Sequence, residues 1–457
     1  MSRCVNPESV GSELRVAAMG DIMAARRISV YKEPEFLELI ELVRNADVGF
    51  ANLEGLPGDF KGYSYANFDG TPTSSASYIA DELKWAGFNL VSIANNHSLD
   101  CGPENLFSAM EALDKAAIVY AGAGKDLDWA QMPGYLETRK GLVALVASVT
   151  GEQGLTYYQQ HTRATKPGGG YPGRPGVNGI RHDKYYAVDP ETWNELQKLK
   201  RKFTAYFQHD EKLELQRIPR DDGTEELLLL GNRFVLGEKI SAHWLIHKSD
   251  LETNLRRVSD ACRLANWVLA SNHSHESVPY SEEGTLPPTH IVKYAHDCID
   301  AGADAYLGHG VHTGQGIEIY KGKPIFYSLA TPIYSMRGLR RIPLERYEML
   351  GLGPDSTPAE YFSAREKRIN RTQQTYLKWL QTVLARFTMK GEKESRKLTE
   401  LRLYPINSYN ADSGLGVRPV IVKDEQLARR IIDRYEKLSA PFGTKIEFKD
   451  GMGLVKL

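Results

Sequence analysis

The stretch Leu90–Gly102, LVSIANNHSLDCG, joins an apolar strand pattern to a polar end. Leu90–Ala94 has the short apolar run of a buried strand. Its carboxyl end is followed by Asn95, Asn96 and His97. Open α/β sheets bind ligands at the carboxyl ends of their strands, and amide oxygens and imidazoles are common ligands of divalent metals. By itself the pattern fits a metal site and a solvated, helix-capping loop equally well.

Strand and helix patterns alternate on both sides of this stretch. Apolar runs typical of strands occur at Leu14–Met19, Val48–Leu53, Ile118–Tyr120, Gly141–Val149, Glu226–Leu236, Trp267–Ala270, Asp304–Leu307 and Leu401–Ile406. Helical spacing of apolar residues occurs at Glu35–Val43, Tyr78–Trp85, Asn105–Lys115, Asp250–Leu264, His290–Ile299 and Gln426–Leu438. Such alternation predicts a mainly parallel or mixed sheet with helices on both faces.

The remaining stretches depart from this alternation. Thr150–Lys184 is rich in glycine and proline, which predicts a long loop rather than a packed element. Gly316–Tyr320 and Ile325–Leu329 are predicted to form a hairpin. Glu360–Arg402 is basic and has apolar residues as far as Phe387 at helical spacing, which predicts a helix packed on the body with a solvated basic face.

The composition is that of an ordinary globular protein, since 42% of the 457 residues are hydrophobic and 25% are charged. A formal net charge of −1 provides no general attraction to nucleic acid or to an anionic membrane surface. The four cysteines show no CxxC spacing. The sequence contains no run of about 18 apolar residues that would indicate a transmembrane segment, and its amino terminus has no apolar signal core. We therefore expect a cytoplasmic protein without a nucleic-acid partner, and nothing in the sequence indicates its oligomeric state.

Polar, metal-competent side chains follow five of the predicted strands. They are Asp21; Asn52 and Glu54; Asn95, Asn96 and His97; His273, His275 and Glu276; and His309 and His312. Because the carboxyl ends of these strands converge at one edge of the fold, a shared site is expected there. Mixed carboxylate, amide and imidazole ligands suit Mn, Zn, Fe or Ca ions without distinguishing them. The set is large enough for one or two ions, with Glu54 as the bridging carboxylate.

Other polar residues have a simpler interpretation. His273 and His275 are two residues apart on an irregular strand end, so only one of them, His273, is predicted to bind metal. That leaves His275 and Glu276 as candidate catalytic groups. Asp100 is expected to begin the next helix. The remaining histidines without motif context are predicted to be structural or surface groups: His182, His243, His290 and His296.

Several motifs, taken in order, resemble those of the CapA family, which is named for capsule and poly-γ-glutamate synthesis. The motifs are GDIM (Gly20–Met23), NLEG (Asn52–Gly55), ANNHSLDCG (Ala94–Gly102), GAG (Gly122–Gly124), PGRPGVN (Pro172–Asn178), GHGVHTGQGIEIYKGKPIFYSL (Gly308–Leu329) and LYPI (Leu403–Ile406). The resemblance implies an α/β fold, a four-layer αββα sandwich of the calcineurin-like metallophosphoesterase type. We expect one domain over residues 14–457, with a loop and helical insertion at 150–250 and a helical excursion near the cleft at 335–400.

The resemblance also implies a dinuclear metal site. Its ligands would be Asp21, Glu54, Asn96, His273, His309 and His312. His97 would donate a proton or hydrogen bond to the substrate. Two departures stand out: Met23 occupies the place of the histidine that usually follows the first aspartate, and the usual YSLGNF ending is here YSLATPIY (Tyr327–Tyr334), which places Thr331 beside the site.

Three functions are compatible with these residues. The first is hydrolysis of a phosphoester or of a peptide-like, poly-γ-glutamate-type substrate by a metal-activated water, with His97 protonating the leaving group. Arg174 and Asn95 would then contact a peptide-like or anionic substrate. The second is epimerisation of a peptide, in which His97 and one of His273, His275 or Glu276 exchange a proton next to a carbonyl. The third is an accessory role in binding an acidic polymer through the basic face of Glu360–Arg402.

Overall fold

The computed structural model describes residues 13–64, 71–152, 162–207, 224–282, 284–335, 339–369, 373–392, 395–409 and 418–457. Strands and helices are mixed along the chain, so the predicted mixed α/β class is confirmed. None of the described helices combines the length and the apolar composition needed to span a bilayer.

Many of the strands are short. In chain order they are β1 (Glu13–Met23), β2 (Val48–Leu53), β3 (Leu90–Ser92), β4 (Val119–Ala121), β5 (Ala123–Gly124), β6 (Gly134–Thr138), β7 (Gly141–Glu152), β8 (Gly176–Val177), β9 (Gly179–Val188), β10 (Glu226–Leu229), β11 (Asn232–Leu236), β12 (Ser241–Ile246), β13 (Trp267–Ser274), β14 (Val278–Ser281), β15 (Gly284–Leu286), β16 (Ala305–Gly310), β17 (Ile317–Tyr320), β18 (Lys323–Phe326), β19 (Ile333–Tyr334), β20 (Gln381–Lys390), β21 (Lys397–Asn407), β22 (Val420–Ile421), β23 (Ile446–Lys449) and β24 (Met452–Val455).

The helices connect and cover these strands. They are α1 (Pro34–Arg44), α2 (Tyr78–Ala86), α3 (Gly102–Lys115), α4 (Leu127–Ala130), α5 (Pro190–Phe207), α6 (Lys248–Leu264), α7 (Thr289–Asp300), α8 (Leu344–Glu348), α9 (Pro358–Ile369), α10 (Gln373–Leu380) and α11 (Glu425–Ser439), with a short 3-10 turn at Ala440–Phe442.

The strands form two large mixed sheets. The first sheet has the order β23-β24-β21-β20-β1-β2-β3-β4, with β19 paired to β1 and β22 to β21. The second has the order β10-β11-β9-β7-β13-β16-β18-β17, with β12 paired to β9 and β6 to β7. In the first sheet β1, β2, β3 and β4 are parallel, whereas β20 runs antiparallel to β1. In the second sheet β7, β13, β16 and β18 are parallel. Parallel neighbours end at the same edge, which positions the site described below.

Three apolar clusters hold these sheets and helices together. One cluster joins residues of both sheets, among them Val16, Leu145, Leu269, Phe326 and Phe387. A second packs the first sheet against α1, α2 and α3 through residues such as Phe36, Leu83 and Leu106. A third packs the second sheet against α6 and α7 through residues such as Val258, Ala295 and Tyr306. Because the central strands are covered on both faces, their sequences are apolar almost throughout.

The predicted long helix over Glu360–Arg402 is wrong beyond Leu380. The helix α10 ends at Leu380, and the chain continues directly into the antiparallel strands β20 and β21. Val383, Leu384 and Phe387 are all buried. In a strand buried on both faces, apolar residues also fall at helical spacing, so periodicity did not separate the two structures.

The loop predicted over Thr150–Lys184 is only partly a loop. Gly179–Val188 forms β9, which pairs with β7 in the second sheet, whereas residues 153–161 lie outside the described part. The predicted hairpin is confirmed by the antiparallel pairing of β17 with β18, in which Ile317 faces Phe326. The domain boundaries at 150–250 and 335–400 remain predictions, and the first span includes β9, β10, β11 and β12 of the second sheet.

We predict that Phe387→Ala destabilises the fold, because Phe387 is buried between the sheets with its ring 5.6 Å from that of Phe326. The cavity left behind should lower the free energy of unfolding by about 3–5 kcal/mol. Phe107→Ala, at a position 36% exposed on α3, is the matched control and should cost much less. Urea unfolding measures both variants, and equal losses would contradict the assigned core.

Candidate metal centre

The carboxyl ends of β1, β2, β13 and β16 meet where the two sheets approach each other. A bulge in β1 separates the pairs Ala18–Phe50 and Asp21–Asn52, and it brings Asp21 level with Asn52. Gly20 precedes the aspartate, and the backbone of Leu329–Ala330 occupies the space that a Cβ would need there. The local sequence therefore allows Asp21 to point into the junction between the sheets.

Asp21 is fully buried and is held by polar contacts from both sheets. Its Oδ1 accepts a hydrogen bond from Asn52 Nδ2 at 2.9 Å, and its Oδ2 lies 3.2 Å from His312 Nδ1 and 3.3 Å from the amide nitrogen of Gly310. Burial alone would raise the pKa of Asp21. The hydrogen bond and charge of His312, with the charge of His309, outweigh burial and hold that pKa below its usual value. The Asp21 carboxyl is therefore held in its anionic form in this environment.

Glu54 is fully buried, and neither of its carboxylate oxygens has a hydrogen-bond partner within the described residues. His97 Nε2 lies 3.8 Å from Oε1, His273 Nε2 lies 3.9 Å from Oε1, and His312 Nδ1 lies 3.9 Å from Oε2. Burial, followed by the charge of Asp21, raises the pKa of Glu54 well above its ordinary value. A buried carboxylate without donors is costly, and a cation between it and the imidazoles would remove that cost.

The imidazoles of the second sheet form a contiguous group. The parallel register of β13 and β16 places His273 opposite His309, and their Nδ1 atoms are 3.0 Å apart. His273 Nε2 lies 3.1 Å from His275 Nε2, and His309 Nε2 lies 2.9 Å from Ser271 Oγ. Burial lowers the pKa of His273 well below its ordinary value and lowers that of His309 to about 4. Both rings are thus neutral near pH 7, which is the form that binds metal.

The two asparagines that follow β3 differ in their contacts. Asn96 Oδ1 is buried without a hydrogen-bond partner among the described residues, as an amide ligand would be before metal binds. Asn95 is fully buried, and its Nδ2 donates to Asn52 Oδ1 and to the carbonyl of Leu53. Its Oδ1 accepts from the backbone amide of His97. The side chain of Asn95 therefore orders the loop, and its predicted contact with substrate stays a prediction.

His97 is oriented by Asp100, whose Oδ2 lies 2.6 Å from His97 Nδ1. The prediction that Asp100 begins the next helix is wrong, because α3 starts at Gly102 and the carboxylate instead contacts His97 and Thr73. With Nδ1 facing a carboxylate, Nε2 faces Glu54 and is the nitrogen available to gain or lose a proton. The H-x-x-D spacing from His97 to Asp100 is the sequence pattern that could have revealed this pair.

Three sets of side chains in this cluster each bring one ligand atom within 4.8 Å of the others. They are Asp21, His273 and His309; Glu54, His273 and His275; and Asp21, Glu54 and His312. The partnerless oxygens of Glu54 are consistent with a cation at this place, and Asn96 Oδ1, in the loop after β3, also has no partner among the described residues. The cluster is therefore able to hold a divalent metal, whereas the number of ions and the role of each ligand stay predictions.

Two predicted site residues lie outside this cluster's contacts. Glu276 Oε1 lies 2.8 Å from His182 Nε2, and its other oxygen accepts from Ser274. Arg174 is exposed, and its guanidinium donates to the carbonyl of Arg163 at 3.1 Å. Their predicted roles in catalysis and substrate binding stay predictions.

Two further side chains, Thr331 and Trp379, lie beside His312 at the rim of the cluster. Thr331 Oγ1 lies 2.9 Å from His312 Nδ1 and 3.3 Å from Asp21 Oδ2, which confirms that it stands beside the site. The ring of Trp379 lies 4.8 Å from that of His312. Met23 packs with Trp379 in an apolar cluster instead of pointing a ligand at the site. The sequence carried no signal for Trp379, because it lies in α10, far along the chain.

The chain matches a known protein family and is similar to several known proteins. The family model described as "Bacterial capsule synthesis protein PGA_cap" matches residues 15–333. An uncharacterized protein of Sinorhizobium fredii, y4sH, is 34% identical over 457 residues, which cover 97% of this chain and 93% of the relative. A probable polyglutamine synthesis accessory protein of Mycobacterium tuberculosis is 25% identical over 317 residues, or 66% of this chain and 62% of the relative. A crystal structure of a hypothetical protein from Thermus thermophilus aligns with 86% of this chain and 98% of its own at 12% identity and a TM-score of 0.35.

We predict that Glu54→Gln stabilises the metal-free protein, and that the gain grows with pH. In the unfolded chain Glu54 ionises near its ordinary pKa of 4.5, whereas its pKa in the folded protein is raised. Below the lower pKa the carboxyl is neutral in both states, so the substitution changes little. As pH rises from 4.5 toward the raised pKa, the unfolded chain is ionised while the folded protein keeps its proton, so folding must take up a proton and the stability of the unsubstituted protein falls.

The melting temperature with chelator present, at about pH 5 and about pH 8, tests this linkage. Glu41→Gln, at an exposed position on α1, is the matched control and should show no such trend. A gain for Glu54→Gln that is independent of pH would contradict the assignment.

Proposed function

The chain belongs to the family of bacterial capsule synthesis proteins, PGA_cap, and we propose that it is a metal-dependent hydrolase of a phosphoester or of a peptide-like, poly-γ-glutamate-type substrate. The observation that carries this proposal is the buried Glu54 carboxylate, which lacks hydrogen-bond partners and faces three imidazoles at 3.8–3.9 Å. A hydrolase that uses a metal-activated water needs a set of side chains that holds the metal, and this group of carboxylates and imidazoles is such a set.

We further propose that the fold is the four-layer αββα sandwich of the calcineurin-like metallophosphoesterases. Support comes from the three apolar clusters, one between the sheets and one between each sheet and its helices. The convergence of parallel strand ends at the cluster is what that architecture requires.

Six residues would hold the metal, one ion or two: Asp21, Glu54, Asn96, His273, His309 and His312. When bound, a divalent metal lowers the pKa of a coordinated water and polarises a carbonyl or phosphoryl oxygen. The ligand chemistry accommodates Mn, Zn, Fe or Ca. Met23 takes the place of a further ligand, so one of two ions would be held by fewer groups than the other, and the Thr331 hydroxyl lies beside the site.

His97 supplies the proton chemistry in this proposal. Asp100 fixes the ring through Nδ1 at 2.6 Å, so that Nε2 faces the cluster. A histidine held in this way protonates a leaving group when charged and accepts a proton when neutral. Its side chain is 12% exposed, which leaves an approach for substrate at the rim of the cluster.

The substrate class we propose is anionic. A groove of about 710 Å³ begins just beyond β1 and is lined by Ala25, Arg26, Arg27, Tyr78, Leu339, Arg340 and Pro358. Arg27 is paired with Glu82, whereas Arg26 and Arg340 are exposed. Guanidinium groups bind carboxylates and phosphates by paired hydrogen bonds. The name of the Mycobacterium tuberculosis relative, which refers to polyglutamine synthesis, agrees with the peptide-like nature of the substrate and does not bear on its charge.

A purely accessory, polymer-binding role has less support. That role would require a continuous basic helical face over Glu360–Arg402 to bind the polymer. The stretch instead divides into α9, α10, β20 and β21. A passive binder also has no use for the buried, metal-competent cluster.

We predict that Asp21→Ala and His273→Ala lose hydrolysis while the fold is retained, with kcat lowered by at least about 1000-fold. His97→Gln should lower kcat by about 100- to 10,000-fold with little change in KM, since it removes proton transfer rather than binding. The assay uses the metal-loaded full chain with a chromogenic phosphodiester and with poly-γ-glutamate, and circular dichroism checks folding. His243→Ala, on β12 outside the cluster, is the control. Unchanged rates in both Asp21→Ala and His273→Ala would refute the proposal.

Peptide epimerisation is the second candidate, and the exposure of His275 favours it. Proton exchange at a carbon next to a carbonyl needs two bases that reach opposite faces of that carbon. His273 is fully buried, and Glu276 Oε1 lies 2.8 Å from His182 Nε2. Of these four candidate bases, His97 and His275 are therefore the pair that a substrate can reach. The same metal would polarise the carbonyl.

Heavy water distinguishes the two activities. An epimerase should incorporate deuterium at the α-carbon of a recovered peptide, and His97→Gln or His275→Gln should lower incorporation by about 100-fold or more. Mass spectrometry across a peptide panel measures it. Hydrolysis without incorporation would exclude this candidate and support the first.

A further inference from the structure

A second polar cluster lies beside the central one and is built from different elements. It contains His182 on β9, Glu276 just after β13, and His290 in the first turn of α7. Each offers one ligand atom within 4.8 Å of the others. His182 and His290 were predicted to be structural or surface groups, and the structure buries both.

The hydrogen bonding of this cluster is incomplete. His290 is only 6% exposed, yet neither ring nitrogen has a hydrogen-bond partner among the described residues. His182 is fully buried, and its Nδ1 is also without a partner there, although its Nε2 lies 2.8 Å from Glu276 Oε1. Buried imidazole nitrogens are normally paired, because an unsatisfied buried polar group destabilises the fold. One of the two His290 nitrogens could therefore bind an ion beside His182 and Glu276.

Neighbouring side chains hold the three residues in place. The indole of Trp244 on β12 stacks on His290 at 5.1 Å between ring centroids, and the rings of His182 and His290 are also 5.1 Å apart. Glu276 Oε2 accepts from Ser274 and lies 3.5 Å from Thr150 Oγ1. Such outer contacts are what orient ligands in metal sites.

We propose that His182, Glu276 and His290 form an additional metal site, separate from the central cluster, for a divalent ion such as Zn²⁺. Two imidazoles and one carboxylate are a regular zinc ligand set, and three protein ligands leave a coordination position for water. Because the two imidazoles are neutral and only one carboxylate is negative, a divalent ion bound here would keep a net positive charge.

Occupation of this site has a structural consequence. The short segment from His273 to Glu276 joins the two clusters, since His273 lies in the central one and Glu276 in the second. His275, the exposed imidazole, lies between them. An ion at the second site would fix Glu276 against β9 and α7, and His275 would be held at the rim of the central cluster.

The test is zinc content of the full chain after chelator treatment and equilibrium dialysis with Zn²⁺, measured by elemental analysis. His290→Ala should lower zinc by about one ion per chain, both in the wild-type background and in Asp21→Ala/Glu54→Gln, which impairs the central cluster. Glu276→Gln should weaken the same binding by at least about tenfold. In the Asp21→Ala/Glu54→Gln background, cobalt substitution should give visible absorption that His290→Ala removes.

His296→Ala is the matched control, because His296 lies on the same helix and pairs with Glu318 outside both clusters. Its zinc content should equal that of the wild type. Zinc content that is independent of both His290 and Glu276, or absent from the Asp21→Ala/Glu54→Gln background, overturns the proposal. If His290→Ala fails to fold, Glu276→Gln decides. Hydrolysis is a separate readout, so failure of this site leaves the proposed function standing.

Discussion

The main physical constraint on this structure is the burial of two carboxyl groups, Asp21 and Glu54, in the junction between the sheets. Asp21 is compensated by donors from both sheets, whereas Glu54 has no hydrogen-bond partner among the described residues. Because a buried, unpaired carboxylate is unfavourable, the apolar clusters around the junction have to supply the free energy that keeps it there. This imbalance is typical of a site selected for chemistry rather than for stability.

Backbone register brings the site together more than side-chain packing does. The bulge in β1 sets Asp21 beside Asn52, and the alignment of β13 with β16 sets His273 beside His309. His312 has a positive φ of 64°, an unusual conformation for a residue with a side chain, and it returns the imidazole to Asp21. Backbone strain of this kind persists where neighbouring contacts hold it, and here Thr331 and Trp379 do so.

The sequence indicated which residues come together in the central cluster, because each of them follows an apolar run that has to be a strand, whereas their roles stay predictions. It predicted the second cluster poorly, since His182 and Glu276 are 94 residues apart and neither lies in a recognisable pattern with His290. The strand β20 was mistaken for helix because both of its faces are buried. Asp100 was missed for a different reason: its partner depends on the turn after β3, and turn geometry is not encoded in hydrophobic spacing.

The pairing of β1 with β20 has a consequence for how the chain is made. The central cluster is complete in sequence at His312, but β20 begins only at Gln381. As the polypeptide leaves the ribosome, one edge of β1 thus remains open after every residue of the cluster has been synthesised. An open edge strand recruits other strands, and pairing across so long a separation is slow. Completion of the first sheet around the centre therefore waits for β20, which begins at residue 381 of 457 and leaves one edge of β1 open to other strands until then.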